Sequence, residues 1–504
     1  MSQMNRIEAV GVSLPHLCIS TDELAEAWGQ FSGAGIDEKR VPAADEDTLT
    51  LAIDAAESAL ARGSVPKADV STVCLATTTP PLDTEAIAPR LVRALGLPSS
   101  VSTRTFTQST LAGLQALDSG VDADGPALAV AADAPRGDPA SEDHPFGAGA
   151  AAFLLAESGS VELLGSASHV DELAGISYRE RGDDELRGLD STSYERTAIR
   201  ESVTNAVERL GSVIDGSDTD SSDGSVDEFD ASTVDGAAVY QPDARMPSRA
   251  TSDLQIPKEA LARGTVVDRI GDAGAAGVPL GLAAALDAAA HVGDGGTNGS
   301  DGRGDDARTL AVCFGSGGGA TAMLFEGSVE SGFDAALDGG RSITYPEYLR
   351  QRGYVGTVDV AGGGAHVSLP TWQRSLDQRY RLAAGRCPEC EALTFPPEGA
   401  CGSCHRRVEF EHVELPRTGV VRAVTSIGHG GAPPEFVEQQ RRDGAYGVAL
   451  VELEHEGESV TLPAQLTDTD TETVDVGDGV RAVVRKLYEQ EGLPRYGTKF
   501  VPTP

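Results

Sequence analysis

The chain has 504 residues, 40% of them hydrophobic, and carries 78 acidic against 40 basic side chains for a formal charge of -38. Such a length gives room for two to four domains and a substantial buried core. The acidic excess argues against a general phosphate-binding surface. Because it is spread along the chain, it fits a halophilic protein kept soluble in concentrated salt by its own carboxylates.

No stretch approaches the roughly twenty apolar residues of a membrane span, and the N-terminus lacks a basic region followed by an apolar core, so a cytoplasmic protein is expected. In chain order, Ile7–Pro15 reads as an alternating strand stopped by proline. Thr21–Trp28 reads as a short helix. Asp47 is a capping acid for a helix whose apolar positions Leu49, Ala52, Ile53, Ala56 and Leu60 recur until Gly63. Val70–Ala76 is a compact apolar strand carrying Cys74. It leads through Thr77-Thr78-Thr79-Pro80-Pro81 to a helix over Ile87–Leu95. Thr107-Gln108-Ser109-Thr110-Leu111-Ala112-Gly113 begins a helix with small residues, whose first amides would stabilise negative charge or a nucleophile. The same residues also fit a helix start that is merely packed tightly through Ala112 and Gly113. Further apolar runs at Ala127–Ala132 and Gly147–Leu154 continue the alternation of strand and helix, which predicts a layered α/β domain. Asp215–Ser232 and His291–Arg308 are rich in Asp, Ser and Gly and read as surface loops.

Beyond Ala361-Gly362-Gly363-Gly364, a linker or turn, Thr371–Leu382 reads as a helix. Cys387-Pro388-Glu389-Cys390 then recurs as Cys401-Gly402-Ser403-Cys404. Two residues between cysteines let one tight turn aim both sulfurs at one point, and two such turns build the four-thiolate cage that zinc prefers. Four protein ligands leave no open position, so the metal is expected to be structural; iron also fits thiolates at this spacing. Cys18, Cys74 and Cys313 remain and do not form a disulfide framework. After the knuckles, Gly419–Ile427, Tyr446–Leu453, Val460–Leu466 and Val480–Arg485 read as strands of a small OB-type barrel, its last strand closed by Phe500. A nucleic-acid role for such a barrel is disfavoured, because residues 371–504 hold 15 basic and 21 acidic side chains.

Gly35-Ile36-Asp37-Glu38-Lys39 with Val41-Pro42, Asp45-Glu46-Asp47-Thr48, Phe314-Gly315-Ser316-Gly317-Gly318-Gly319-Ala320 and Tyr345-Pro346-Glu347-Tyr348-Leu349-Arg350 together resemble archaeal hydroxymethylglutaryl-CoA synthase, a thiolase-fold condensing enzyme. The resemblance runs from about Ile7 to Gly353. It implies an acyl-carrying cysteine at the buried helix start, a glutamate acid–base and a histidine that positions the second acyl-CoA. Here those positions match Thr110, Thr78 and Tyr240, and a later loop asparagine appears as Asp272 after Gly271. A protonated threonine hydroxyl with no nearby base is a poor acyl carrier. The resemblance further implies acyl-CoA binding with Arg245, Asp272 and Ser316 as substrate-binding positions, Arg245 offering positive charge to CoA phosphate with Arg249 one turn on. The family also implies a homodimer.

Tyr380-Arg381-Leu382, the two knuckles around Phe395-Pro396-Pro397, the strand Tyr446–Leu453 and Lys499-Phe500 resemble the archaeal zinc-ribbon and OB-fold partner of thiolases, which bridges a thiolase to the synthase. The expected organisation is therefore a synthase-like domain (1–353), a linker (354–370), a helix and rubredoxin-like zinc ribbon (371–415) and an OB-type domain (416–504). Expected ligands are zinc and acyl-CoA, and the expected partner is an acetyl-CoA acetyltransferase (thiolase). Two functions compete: a scaffold that holds acyl-CoA without a covalent acyl-enzyme, and an active acyltransferase using Ser109, Thr110 or Cys74. A free thiol or a carboxylate pair at the foot of the site would reopen catalysis.

Overall fold

The computed structural model describes residues 4–29, 31, 33–139, 144–189, 192–216, 229–291, 306–355, 368–428 and 437–503. Most of both Asp/Ser/Gly-rich segments, and the glycines at 362–364, lie outside the described residues. The chain divides into one unit of Met1–Ala43, Asp47–Val92 and Leu97–Arg352, and a second of Ala44–Glu46, Arg93–Gly96 and Gly353–Pro504.

In the first unit the strands are β1 (Arg6–Ser13), β2 (Leu17–Ser20), β3 (Glu38–Val41), β4 (Thr72–Ala76), β5 (Ser102–Phe106), β6 (Ala127–Asp133), β7 (Gly149–Ala156), β8 (Glu162–His169), β9 (Gly236–Val239), β10 (Arg308–Gly315), β11 (Gly319–Glu326) and β12 (Arg341–Ser342). They form a five-stranded sheet β1-β7-β6-β4-β5, a four-stranded sheet β8-β11-β10-β9 and a small sheet β12-β2-β3. Strands β4, β6 and β7 are buried along their whole length, which is why they read as continuous apolar runs. Parallel pairing of β4 with both β5 and β6 requires crossovers. One of these carries the Ala112–Val121 helix, which packs on β4 and β6. The Gly277–His291 helix, buried on nearly every side, packs on β9 and β10. Outside them lie Thr48–Arg62, against β1 and β7, and Thr192–Gly216, against β8 and β11. The expected cap is present: the Asp47 carboxylate accepts from the Leu49 and Thr50 amides.

In the second unit, the helix expected over Thr371–Leu382 is two short helices, Leu369–Arg374 and Leu376–Arg381. Ser375 breaks it: its hydroxyl bonds back to the Trp372 carbonyl at 3.0 Å, offering the backbone an alternative to helix continuation. The small sheet β14-β13-β15 consists of β13 (Ala383–Arg386), β14 (Leu393–Thr394) and β15 (Glu411–Glu414). The last sheet has β16 (Thr418–Ile427), β17 (Tyr446–His455), β18 (Glu458–Gln465), β19 (Gly479–Gln490) and β20 (Leu493–Pro502) in the order β18-β17-β16-β19-β20. A bridge between Leu466 and Phe500 draws its two edges together into a nearly closed, barrel-like sheet. Its core is Val421, Ala449, Val451, Leu453, Val480 and Phe500, the inward positions of alternating strands. Within this unit Lys499, 1% exposed, donates to Asp45 at 2.7 Å, and Arg485 lies between Glu46 at 3.3 Å and Asp468 at 3.2 Å.

Candidate functional site

The site is built where β5 ends and the Ala112–Val121 helix begins. Gln108 turns the chain with φ +80°, a conformation that a residue with a Cβ adopts only when its surroundings hold it there. Thr110 follows, half-buried, and its hydroxyl donates to the Phe314 carbonyl at the end of β10 at 2.5 Å. Gly113 has no room for a side chain, since a Cβ would lie 2.2 Å from the Ala275 carbonyl. The helix start is therefore tightly packed through Gly113, one of the two readings of this stretch.

Asp133, the last residue of β6 and 0% exposed, organises the opposite wall. It accepts from the Thr77 hydroxyl at 2.9 Å and the Thr78 amide at 2.9 Å. The Thr78 hydroxyl (2.6 Å), the Thr79 amide (2.9 Å) and the Thr79 hydroxyl (2.5 Å) add three more bonds, and the Ala275 amide a sixth at 2.8 Å. Thr78 is thus committed as a donor to Asp133, while the Arg179 guanidinium bonds to the Thr78 carbonyl. Sequence reasoning stopped the β6 run at Ala132 and missed Asp133. The available signal was a lone acid closing a wholly apolar strand, a position where burial demands partners.

Asp272 sits in the same wall. Its loop is pinned by Gly271 at φ +77° and by a bridge to Phe146, and its carboxylate accepts the Gly274 amide at 2.9 Å. Burial, with the negative charges of Asp133 and Asp243 adding to it against the Gly274 hydrogen bond, pushes the Asp272 carboxyl up to about 6. Tyr240, buried, packs on Phe314 with ring centroids 5.5 Å apart; burial and the nearby Asp272 raise its phenol well above the usual range. Gln241 beside it, not singled out in the sequence, ties four backbone groups together through Gly264, Gly277, Val266 and Val267.

The structure brings Thr78, Thr110, Tyr240 and Asp272 together, and Ser316 lies just beyond the Phe314 carbonyl that Thr110 bonds. That serine lines a cavity of about 490 Å³ with Gln108, Ser109, Gln115, Ser168 and His169, and its hydroxyl accepts the Ser177 amide at 3.1 Å. Arg245 lies at the exposed start of the Met246–Ala250 helix, where its backbone amide donates to Asp243 at 2.7 Å and its carbonyl accepts from the Arg249 amide at 3.2 Å. Arg249 is exposed too.

Both features that would reopen catalysis are present in some form. Cys313 is a free thiol directly behind Thr110, its sulfur 3.3 Å from the Thr110 carbonyl, but it is 1% exposed and burial pushes its pKa up to about 12. It stays a protonated, enclosed thiol. Asp133 and Asp272 are a neighbouring pair of carboxyl groups. Cys74, by contrast, is placed away from the site: it is buried beside Ser119 near the far end of the Ala112–Val121 helix, about 13 Å along its axis from Thr110 at 1.5 Å per residue.

In the second unit the sulfurs of Cys387, Cys390, Cys401 and Cys404 all lie within 4.8 Å of one another. Cys387 and Cys404 are 3.7 Å apart and Cys390 and Cys401 3.6 Å, close to the edge of a tetrahedron with Zn–S bonds of about 2.3 Å. The two knuckles are built alike. In each, the amide of the residue after the second cysteine (Glu391, His405) bonds to the carbonyl of the first at 2.9 Å, and that residue has positive φ. The donor set and spacing fit a structural zinc, held without an open coordination position.

These features define a thiolase-type layered α/β unit followed by a zinc ribbon and a small barrel-like sheet. Residues 374–411 match the ChsH2 rubredoxin-like zinc ribbon domain family. The chain is 27% identical over 341 residues to hydroxymethylglutaryl-CoA synthase of Pyrococcus furiosus, covering 66% of this chain and 89% of that protein. MvaS in complex with 3-hydroxy-3-methylglutaryl coenzyme A superposes with a TM-score of 0.56 at 19% identity, over 73% of this chain and 95% of that one. The 3-oxoacyl-(acyl carrier protein) synthase III FabH of Pseudomonas aeruginosa gives 0.52 at 21% identity, over 64% and 98%. The protein therefore fuses a hydroxymethylglutaryl-CoA synthase-like, thiolase-fold region to a rubredoxin-like zinc ribbon. Among the described residues no helix is long and apolar enough to cross a membrane.

Proposed function

We propose that this protein is a cytoplasmic acyl-CoA-binding scaffold, synthase-like in fold, that holds a CoA thioester without forming a covalent acyl-enzyme and works beside a thiolase. The observation that carries this reading is the hydrogen bond from the Thr110 hydroxyl to the Phe314 carbonyl. The group standing where a condensing enzyme carries its acyl chain spends its proton on a backbone acceptor. Thr78 is likewise a donor to Asp133 and not a proton shuttle. Acyl-CoA binding is supported by the likeness to MvaS, whose solved structure contains 3-hydroxy-3-methylglutaryl coenzyme A. The exposed Arg245 guanidinium supplies a cation for CoA phosphate. The zinc ribbon and barrel-like module, which resembles an OB-fold, serves as the bridging part; fusing it to the synthase-like domain raises its local concentration there. β5, an edge strand exposed along most of its length, offers a pairing edge to a second copy, consistent with a homodimer.

An active acyltransferase is the second reading, and Ser109 on the wall of the 490 Å³ cavity is what favours it. Calorimetry with acetyl-CoA tests binding, and co-purification from high salt tests the thiolase. Saturable binding with a thiolase in the eluate supports the scaffold; no acyl-CoA binding overturns it.

A further inference from the structure

The wall that lost the usual shuttle position keeps a carboxyl group of its own. Asp133 is fully enclosed and saturated by six donors, whereas its neighbour Asp272 is half-buried and lies close to Tyr240 and to Cys313, the thiol behind Thr110. The single bond of the Asp272 carboxylate, from the Gly274 amide to Oδ1, leaves Oδ2 without a partner among the described residues. The following Gly274–Ala276 turn is wedged between Asp133 and the first turn of the Ala112–Val121 helix at Gly113. At that helix start, the amides of Thr110 and Leu111 have no acceptor among the described residues and close the positive end of a ten-residue helix.

We infer that Asp272 takes and returns the α-proton of a β-ketoacyl thioester held against the Thr110 turn, so that the protein catalyses proton exchange at that carbon without covalent attachment. This rests on the acyl-CoA-binding reading. The step balances without a co-reactant. The α C–H bond breaks as its proton passes to Oδ2, and the electron pair moves into the thioester carbonyl as an enolate. The same carboxyl, after exchanging its proton with water, restores the C–H bond. A β-keto substrate is favoured because its enolate charge spreads over two carbonyls, within the reach of a weak base. The positive helix end meets the charge on the thioester oxygen.

The groups facing Asp272 are Asp133 on β6, Asp243 and Tyr240 after β9, and Cys313 on β10; Glu195, further off, faces Tyr240 and Asp243. None is cationic, and burial with the acidic neighbours keeps the carboxyl near a pKa of about 6, suited to give and take a proton near neutral pH.

The test is deuterium exchange at C2 of acetoacetyl-CoA by NMR in D2O, above the buffer-only rate, with the full-length protein and Asp272→Asn, alongside calorimetric binding of the same thioester to both. The expected result is protein-dependent exchange that falls as pH drops through about 6 and that, per bound thioester, is lowered about a hundredfold or more in Asp272→Asn. Binding by the wild type without exchange above buffer overturns the inference and leaves the scaffold reading standing. Exchange that persists in Asp272→Asn, or that is flat across pH 5 to 8, also overturns it. No binding by the wild type overturns both.

Discussion

Replacing Asp133 by alanine tests the assignment of one buried carboxylate as the post on which the site hangs. The change removes the acceptor of six donors. Three are hydroxyls, which rotate to other acceptors at small cost, and the Thr79 amide keeps a second acceptor in the Thr77 hydroxyl at 3.0 Å. The amides of Thr78 and Ala275, fixed by the backbone, are left unpaired at about 1–3 kcal/mol each. With partial relaxation the sum is about 2–4 kcal/mol. Asp133→Asn keeps the shape and one acceptor oxygen. It turns an NH2 toward the Thr78 hydroxyl, which can reverse and accept, and the Ala275 amide, which cannot, for about 1–2 kcal/mol. Denaturant unfolding of the three proteins, followed by fluorescence and circular dichroism, is expected to rank wild type above Asn above Ala. Equal stability of Ala and wild type within 0.5 kcal/mol, roughly the scatter of an ordinary surface change, would refute the role given to Asp133.

In the second unit, Lys499→Ala takes the ion-pair partner from the buried Asp45 carboxylate, which keeps the Thr467 hydroxyl at 2.8 Å and the Arg485 charge, and is expected to cost about 3 kcal/mol, measured as a drop in denaturation midpoint. Although burial opposes it, the charges of Lys499 and Arg485 hold the Asp45 carboxyl far below the usual range. Its contribution is therefore complete above about pH 4, the unfolded value, and is lost as pH falls toward the folded one; a Lys499→Ala penalty unchanged down to pH 2 contradicts this. Lys39, 0% exposed, donates to the His144 carbonyl at 2.9 Å, and burial, helped by Arg352, brings its pKa down to about 7. The unfolded chain then binds the extra proton between pH 7 and about 10.4, so stability through this group rises with pH across that window. Lys39→Met is expected to gain most on wild type at or below pH 7 and least near pH 10; a pH-independent difference refutes it. Chelating the metal expected at the four thiolates, or changing Cys401 to Ser, is expected to open residues 387–405 to proteolysis, because the cluster around Cys387, Cys401 and Phe410 is too small to hold the ribbon alone. Unchanged protection with metal absent by elemental analysis contradicts that.

The layered α/β unit was legible because its central strands β4, β6 and β7 are buried on both faces: Val73-Cys74-Leu75-Ala76 and Ala127–Ala132 read as strands from composition alone. Thr21–Trp28 and the Asp47-capped helix were legible from their caps and periods. The zinc knuckles follow from cysteine spacing, which reports local turn geometry directly. Less accessible was anything decided by tertiary contact. Ser375 carries no local mark that its hydroxyl will turn back and split a helix. Asp133 looks like the end of a strand until the Thr77–Thr79 loop and Ala275 close around it. The grouping of Thr78, Thr110 and Tyr240 came from family resemblance, whereas the cavity that Ser316 shares with Ser109 and the enclosure of Cys313 depend on how β10 and the Thr110 turn meet.

Incubation of the full-length protein with isotopically labelled acetyl-CoA, followed by intact-mass analysis and peptide mapping, bears most directly on whether a hydroxyl has displaced covalent chemistry here. An unmodified chain is expected, with label recovered only as bound, dialysable thioester. Stoichiometric acetyl attached to Thr110, Ser109 or any cysteine would contradict it.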